Sequence, residues 1–212
     1  MVTPTVRMPG GGISRRPLHF IILADWERDQ EQAQVFVRAV AFATEPRWHV
    51  PDPVPVASIR WQPLQVVPKG LTHMGLAFAM VAEALAPGRI ERRALRPALL
   101  LITDGLATDP PGRFEAGLAA LMAQPAGRAA LRLSIAIGRD AQSDALNQFI
   151  GDPNVPVLVA NGTEDIADRL VAASLAVSRM SEVGADRNAV ARRLFGLPEG
   201  VPSGIFDQDT II

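Results

Sequence analysis

The chain alternates between two hydrophobic patterns, short continuous apolar runs and longer stretches with helical spacing. Two of the continuous runs lead directly into an aspartate, residues 19–24 into Asp25 and residues 98–103 into Asp104. Continuous apolar runs of this length are typical of strands buried inside a parallel sheet. Ligands of such sheets bind at the carboxyl ends of the strands. The pattern therefore predicts that both aspartates lie at a ligand-binding edge.

The remaining apolar patterns predict strands that alternate with helices. Such alternation predicts an α/β fold with a doubly wound, mostly parallel central sheet and helices on both faces. The stretch 51–55 is rich in proline, which restricts it to an edge strand or an extended loop. The predicted strands are residues 18–24, 97–103, 131–137 and 155–159, and the predicted helices are residues 72–86, 113–123, 143–150 and 163–180.

Residues 34–43 are ambiguous between a helix and a strand. Asp29 and Gln32 have the spacing of a capping box, which would start a helix. The β-branched residues Val35, Val37 and Val40 favour a strand instead. We therefore interpret this stretch as the second strand.

Composition places the sequence among soluble globular proteins. Hydrophobic residues make up 48% of the 212-residue chain, charged residues 20%, and the net charge is −1. This balance gives no reason to expect nucleic acid or a membrane surface as a partner. Cysteine is absent, which excludes disulfides and thiolate chemistry and suits the cytoplasm. The predicted organisation is a flexible arm over residues 1–17, one domain over 18–180 and a C-terminal extension over 181–212.

Thr72 lies in the chain between the two aspartate-terminated strands, at the start of a predicted helix. Hydroxyl and carboxylate oxygens are the ligands that Mg²⁺ prefers in proteins. Asp25, Thr72 and Asp104 are therefore candidate ligands of a cation at the sheet edge. Thr72 has an alternative role as the N-cap of the helix that follows it.

The sequence resembles von Willebrand factor A (VWA) domains, specifically the TerY-like branch found in tellurite-resistance and related stress gene clusters. No single phrase carries this resemblance, but the order and spacing of several phrases do. The similar phrases are residues 16–25, 42–50, 70–75, 93–105, 108–109, 125–138 and 149–151. The resemblance implies a VWA fold and a metal-ion-dependent adhesion site.

The implied metal site departs from the family pattern. The family carries Asp-x-Ser-x-Ser after its first strand, whereas this chain keeps Asp25 but has Glu27 and Asp29 at the serine positions. By resemblance, Thr72 would bind the metal directly, and Asp104, like Asp25, would act through water. Four carboxylates would overcompensate the charge of a divalent ion and weaken its pull on an acidic ligand. We expect a degenerate site that is weak or empty, with no cofactor required and Mg²⁺ at low occupancy as the alternative.

The connector after the first strand is shorter than the family's, which normally contains a helix. Residues 26–33 are too few for an ordinary parallel crossover. Either this connector runs stretched across the sheet, or the second strand pairs antiparallel. We expect the helix after the first strand to be shortened or missing, which would leave an apolar face where a partner could dock.

The sequence favours a non-enzymatic protein-interaction module. It has no evident nucleophile–base pair and no glycine-rich phosphate loop after a strand. By resemblance, the expected partners are a Ser/Thr kinase and a PP2C-type phosphatase of a bacterial stress response. One alternative is a Mg²⁺-dependent phosphohydrolase of the haloacid-dehalogenase type with Asp25 as nucleophile. Another is a purely structural subunit of a larger complex.

Four further residues have simpler expected roles. Asp109 is expected to cap the helix at residues 113–123. Trp48 and Trp61 are expected to be packing residues. Thr210 stands in an acidic C-terminal context that a kinase could modify, or simply in a frayed terminus.

Overall fold

A computed structural model describes residues 20–28, 33–63, 70–89, 97–138, 144–153, 155–161 and 165. The expected N-terminal arm, the C-terminal extension with Thr210, and Asp29 lie outside the described residues. So does the predicted helix at residues 163–180, apart from Asp165, which is helical. The described elements are β1 (Phe20–Arg28), β2 (Ala33–Phe42), β3 (Pro46–Pro55), α1 (Met74–Ala84), β4 (Ala98–Thr103), α2 (Arg113–Ala123), α3 (Pro125–Ala129), β5 (Leu131–Ile137), α4 (Asp144–Ile150) and β6 (Leu158–Ala160), with a 3-10 turn at Val56–Ser58.

The strands form one six-stranded mixed sheet in the order β3-β2-β1-β4-β5-β6. β4, β5 and β6 are parallel to one another. β1 is antiparallel to both of its neighbours, β2 and β4, and β2 is antiparallel to β3. The α/β class is therefore confirmed, but the expected mostly parallel sheet is wrong for the described strands, because three of the five strand pairs are antiparallel.

β1 and β2 form an antiparallel pair separated by residues 29–32. Four residues cannot contain a crossover helix, so the prediction that the helix after the first strand is shortened or missing is confirmed. Of the two arrangements left open for the connector, the antiparallel one is observed. The strand interpretation of residues 34–43 is also confirmed.

β3 is the edge strand that its prolines require. Pro51, Pro53 and Pro55 cannot donate to a ladder, and β3 pairs only with β2. The register shifts where Val37 pairs with Val54 and Ala39 pairs with Val50, so β3 bulges over residues 51–53.

α1 and α2 cross at two glycines. A Cβ on Gly117 would overlap the carbonyl oxygen of Gly75, and a Cβ on Gly75 would overlap the carbonyl oxygen of Arg113. Because neither glycine has a side chain, the backbones of α1 and α2 can touch. This close approach positions α1, whose N-terminus takes part in the site described below.

The main core lies between these helices and one face of the sheet. Phe78 of α1 lies edge-on to Phe114 of α2, with ring centroids 5.5 Å apart, and stacks on Phe149 of α4 at 5.2 Å. Leu99 and Leu101 of β4 belong to the same buried cluster. The apolar residues of α1, α2 and α4 therefore cover one face of the sheet.

The other face of the sheet is also buried. Val37, Ala39 and Ala41 of β2 are 6%, 0% and 7% exposed. Ile102 of β4 and Ile135 of β5 belong to a second buried cluster. The expected bare apolar face next to the short connector is therefore wrong at these β2 positions.

Arg132 binds carbonyls at the ends of two helices. The Nε of Arg132 donates to the carbonyls of Phe149 (2.7 Å) and Ile150 (3.1 Å), and its Nη1 donates to Gly127 (3.2 Å). Burial lowers the pKa of Arg132, and the charge of Asp152 opposes that shift. The Nε bonds pair the carbonyls of the last two residues of α4, and the Nη1 bond adds a second donor to the Gly127 carbonyl, which also accepts the backbone N–H of Ala130.

Candidate functional site

Four strands of the sheet end at the same edge, which we call the carboxyl edge. Because β1 is antiparallel to both β2 and β4, those two strands run in the same direction, and β5 and β6 follow β4. The loop at residues 43–45 leaves β2 at this edge, and the loop at residues 104–109 leaves β4 there. Carboxyl ends of aligned strands are the usual place for ligands in α/β proteins.

Thr72 connects the segment before α1 to the loop after β4. The backbone N–H of Thr72 donates to Oγ1 of Thr108 at 2.7 Å, and the backbone N–H of Thr108 donates to the Thr72 carbonyl at 3.0 Å. Thr72 is only 6% exposed. The expected N-cap role of Thr72 is wrong, because α1 begins at Met74 with His73 in the N-cap position.

Asp109 caps α1 across the loop. Its Oδ2 accepts the backbone N–H of Met74 at 2.9 Å, and its Oδ1 accepts that of Gly75 at 2.8 Å. A carboxylate here satisfies two unpaired donors and complements the positive end of the helix dipole. The prediction that Asp109 caps the helix at residues 113–123 is wrong, because Gly112 is the N-cap of α2.

His73 connects the same segment to the loop after β2. Its backbone N–H donates to the Ala43 carbonyl at 2.9 Å. Nδ1 lies 2.9 Å from the Thr44 carbonyl, and because a carbonyl only accepts, Nδ1 carries the proton. Nε2 is buried and has no partner within the described residues. Oγ1 of Thr44 also accepts the backbone N–H of Leu71, at 3.1 Å.

These bonds hold two exposed leucines at the carboxyl edge. Leu71 precedes Thr72 and is 47% exposed, and Leu106 follows β4 and is 54% exposed. They are two of the three large hydrophobic side chains exposed within the described residues; the third is Trp61. Large apolar groups presented on well-bonded loops suit contact with a protein partner.

The strand register separates the expected metal ligands. Ala24 pairs with Ala98 at the start of β4, so Asp25 lies beside that start. Asp104 follows the other end of β4. The physical reason is the antiparallel direction of β1, which places Asp25 and Glu27 at the edge opposite Thr72 and Asp104. The predicted ligand set therefore does not come together in the described residues, and it does not fit a single ion.

The described residues contain no group of three or more His, Cys, Asp or Glu side chains placed to hold a metal. Asp25 and Thr72, which the phosphohydrolase alternative would place in one active site, lie at opposite edges of the sheet. Thr103, the last residue of β4, forms a local turn with Gly105. Its Oγ1 accepts the backbone N–H of Gly105 and donates to the carbonyl of Gly105, both at 3.2 Å.

Sequence reasoning missed the residues that organise the carboxyl edge. Thr44 and Thr108 lie in two of the similar phrases, 42–50 and 108–109, but were assigned no role, and their bonding partners lie 27 and 36 residues away. Trp48 does pack against the core, as expected. Trp61 differs, because it is 49% exposed and stacks on His49 with ring centroids 5.9 Å apart.

Two further findings concern the chain as a whole. No helix within the described ranges has the length and apolar character needed to cross a membrane. No protein-family model, no curated protein and no solved structure matches the chain.

Proposed function

We propose that this protein is a non-enzymatic interaction module that uses its carboxyl edge to hold protein partners. The observation that carries the proposal is the exposure of Leu71 and Leu106 on loops bonded together through Thr72 and Thr108. Exposed leucines cost solvation free energy unless a partner covers them, and rigid loops lose little entropy on binding. The module acts by scaffolding.

The fold that we propose is a doubly wound, VWA-like domain with a reversed first strand. The spatial order β3-β2-β1-β4-β5-β6 supports this assignment, because it matches the strand order common among doubly wound folds. The antiparallel direction of β1 departs from such folds, in which the sheet is mostly parallel. A reversed β1 would keep the ancestral strand order while removing Asp25 from the carboxyl edge.

Partner binding in this proposal does not require a metal ion. The register places Asp25 and Asp104 at opposite edges, so the proposed contact depends on apolar area. A calorimetric titration with Mg²⁺ or Mn²⁺ tests this point. Saturable binding that is abolished by Thr72→Ala would contradict it.

The partners we propose are a Ser/Thr kinase and a PP2C-type phosphatase, in the cytoplasm and in a stress response of the tellurite-resistance type. The sequence resemblance supports this choice. A pull-down from the native organism tests it, with the wild-type protein and the double variant Leu71→Ser/Leu106→Ser as baits. Trp61→Ser is the matched control, because it removes an equally exposed apolar side chain that stacks on His49 and does not belong to the two bonded loops.

The expected result is capture of a kinase or phosphatase by the wild type and by Trp61→Ser, and its loss with the double variant. Equal capture by all three baits would show that the carboxyl edge is not the contact surface. Capture of neither enzyme would overturn the proposed partners.

A further inference from the structure

The chain enters the sheet at the carboxyl edge. Phe20, the first residue of β1, pairs with Ala41 of β2 and with Ile102 of β4, each one residue before the end of its strand. The loops that carry the exposed edge leave the sheet at these same two strand ends. Because β1 lies between β2 and β4, the N-terminal arm predicted at residues 1–17 is attached between those two loops.

The two exposed leucines of the carboxyl edge lie within reach of this attachment point. Leu106 follows the β4 partner of Phe20 by four residues, so the two positions are at most about 20 Å apart. Leu71 is bonded through its backbone N–H to Thr44 in the loop after β2, at 3.1 Å. An arm of 17 residues spans up to about 55 Å when extended. It is therefore long enough to cover both leucines.

The arm and the loops of the carboxyl edge carry opposite charges. Residues 1–17 contain three arginines and neither aspartate nor glutamate. The described loop residues 43–45, 70–73 and 104–109 contain three acids, Glu45, Asp104 and Asp109, and neither arginine nor lysine. Glu45 is exposed, and Asp104 is half-buried. A basic segment attached beside acidic loops is electrostatically complementary to them.

We propose that the N-terminal arm, residues 1–17, folds back onto the carboxyl edge of its own chain and covers Leu71 and Leu106. Its arginines face the acidic loops, and residues 6–8 (Val-Arg-Met) combine one of them with apolar contact area. Weak contacts are sufficient, because a short flexible linker gives an effective concentration in the millimolar range. The arm then competes with a protein partner for the same surface, a consequence that rests on the proposed function.

The reactivity of a single cysteine in the full chain measures whether the edge is covered. The chain has no cysteine, so Leu106→Cys and, separately, Leu71→Cys each introduce one thiol and keep the other leucine. Each is made with the native arm and with the arm variant Arg7→Gln/Arg15→Gln/Arg16→Gln. Mass spectrometry follows the rate of alkylation by N-ethylmaleimide, which is uncharged and adds to the thiol.

Both thiols should react about fivefold faster in the arm variant, as the loss of up to three exposed ion pairs implies. The direction is diagnostic, because removal of nearby positive charge raises the pKa of a thiol and by itself slows alkylation. Ala119→Cys, exposed on α2, should react at the same rate with either arm. Arg60→Gln, an exposed arginine outside the arm, should leave the rate for Leu106→Cys unchanged.

Three results would overturn the proposal. Equal rates with the native arm and the arm variant at both leucine positions would show that the arm does not cover the edge. Equal acceleration at Ala119→Cys would indicate a general change in the chain. Protection of the thiols that increases with protein concentration would assign the cover to a second copy of the chain.

The alkylation experiment contains no partner protein. Its failure would remove the arm from the carboxyl edge and leave the proposed function standing. Conversely, a pull-down that shows no role for Leu71 and Leu106 would remove the proposed contact with a partner, while the alkylation rates would still report whether the arm covers them.

Discussion

Replacement of Asp109 with alanine should destabilise the fold through α1, although Asp109 lies 35 residues from Met74, where that helix begins. The change removes two charge-assisted bonds, to the backbone N–H groups of Met74 and Gly75 at 2.9 and 2.8 Å. Loss of a capping carboxylate costs about 1–2 kcal/mol, and loss of its interaction with the helix dipole adds about 0.3–1 kcal/mol. We expect a total of about 2 kcal/mol, because Asp109 is only half-buried and water replaces part of each bond.

Urea unfolding followed by circular dichroism measures this cost. With a denaturant slope of about 2 kcal/mol/M, the midpoint for Asp109→Ala should fall by about 1 M. Asp109→Asn keeps one acceptor oxygen and should lose about half as much stability. Glu115→Ala is the control, because Glu115 is an exposed acid in the first turn of α2. The reasoning is refuted if Asp109→Ala shifts the midpoint no further than Glu115→Ala.

Two other substitutions test how the helices are held. Gly117→Ala forces a Cβ into the Gly75 carbonyl at the crossing of α1 and α2, and should cost about 1–3 kcal/mol in urea unfolding. Ala119→Ser, exposed on the same helix, should change stability by less than about 0.5 kcal/mol, and equal losses for the two variants would argue against a close crossing. Arg132→Met removes three bonds to helix-end carbonyls from a half-buried side chain, and should lower the thermal midpoint by several degrees more than Arg128→Met. Arg128 also binds two carbonyls but is exposed, so a larger loss at Arg128 would contradict the importance of burial.

Local sequence patterns were sufficient to predict most of the described elements. α2 and β5 have the predicted bounds, β4 differs from prediction by one residue at the start, and α4 has the predicted end. These elements have strong signals, a continuous apolar run or apolar residues at helical spacing. Boundaries were less accurate where capping comes from elsewhere in the chain, as at α1.

Strand direction could not be predicted from β1 itself. A run of apolar residues can be buried in either direction, since both its faces are covered whichever way it points. The useful signal was the short connector at residues 26–33, which made antiparallel pairing of the second strand one of two possible arrangements. It did not reveal that β1 is also antiparallel to β4, because that pairing joins strands about 75 residues apart in the chain.

The candidate site was predicted only in part, for the same reason. Thr72 and Asp104 were correctly placed near the carboxyl edge, because each follows or precedes an element with a clear pattern. Asp25 was placed there by assuming a parallel β1. Asp109 was assigned to the nearest helix, whereas its actual partners lie across the loop on α1.

The direction of β1 is the central claim, and one distance measures it. The chain has no cysteine, so Asp25→Cys/Asp104→Cys can be labelled with nitroxides at these two positions alone. An antiparallel β1 places the two backbone positions about 20 Å or more apart along β4, at about 3.3 Å per residue. Double electron–electron resonance should therefore give a distribution centred beyond about 20 Å. A parallel β1 would bring the two positions to neighbouring strand ends, about 5 Å apart, and strong short-range dipolar broadening would contradict the account.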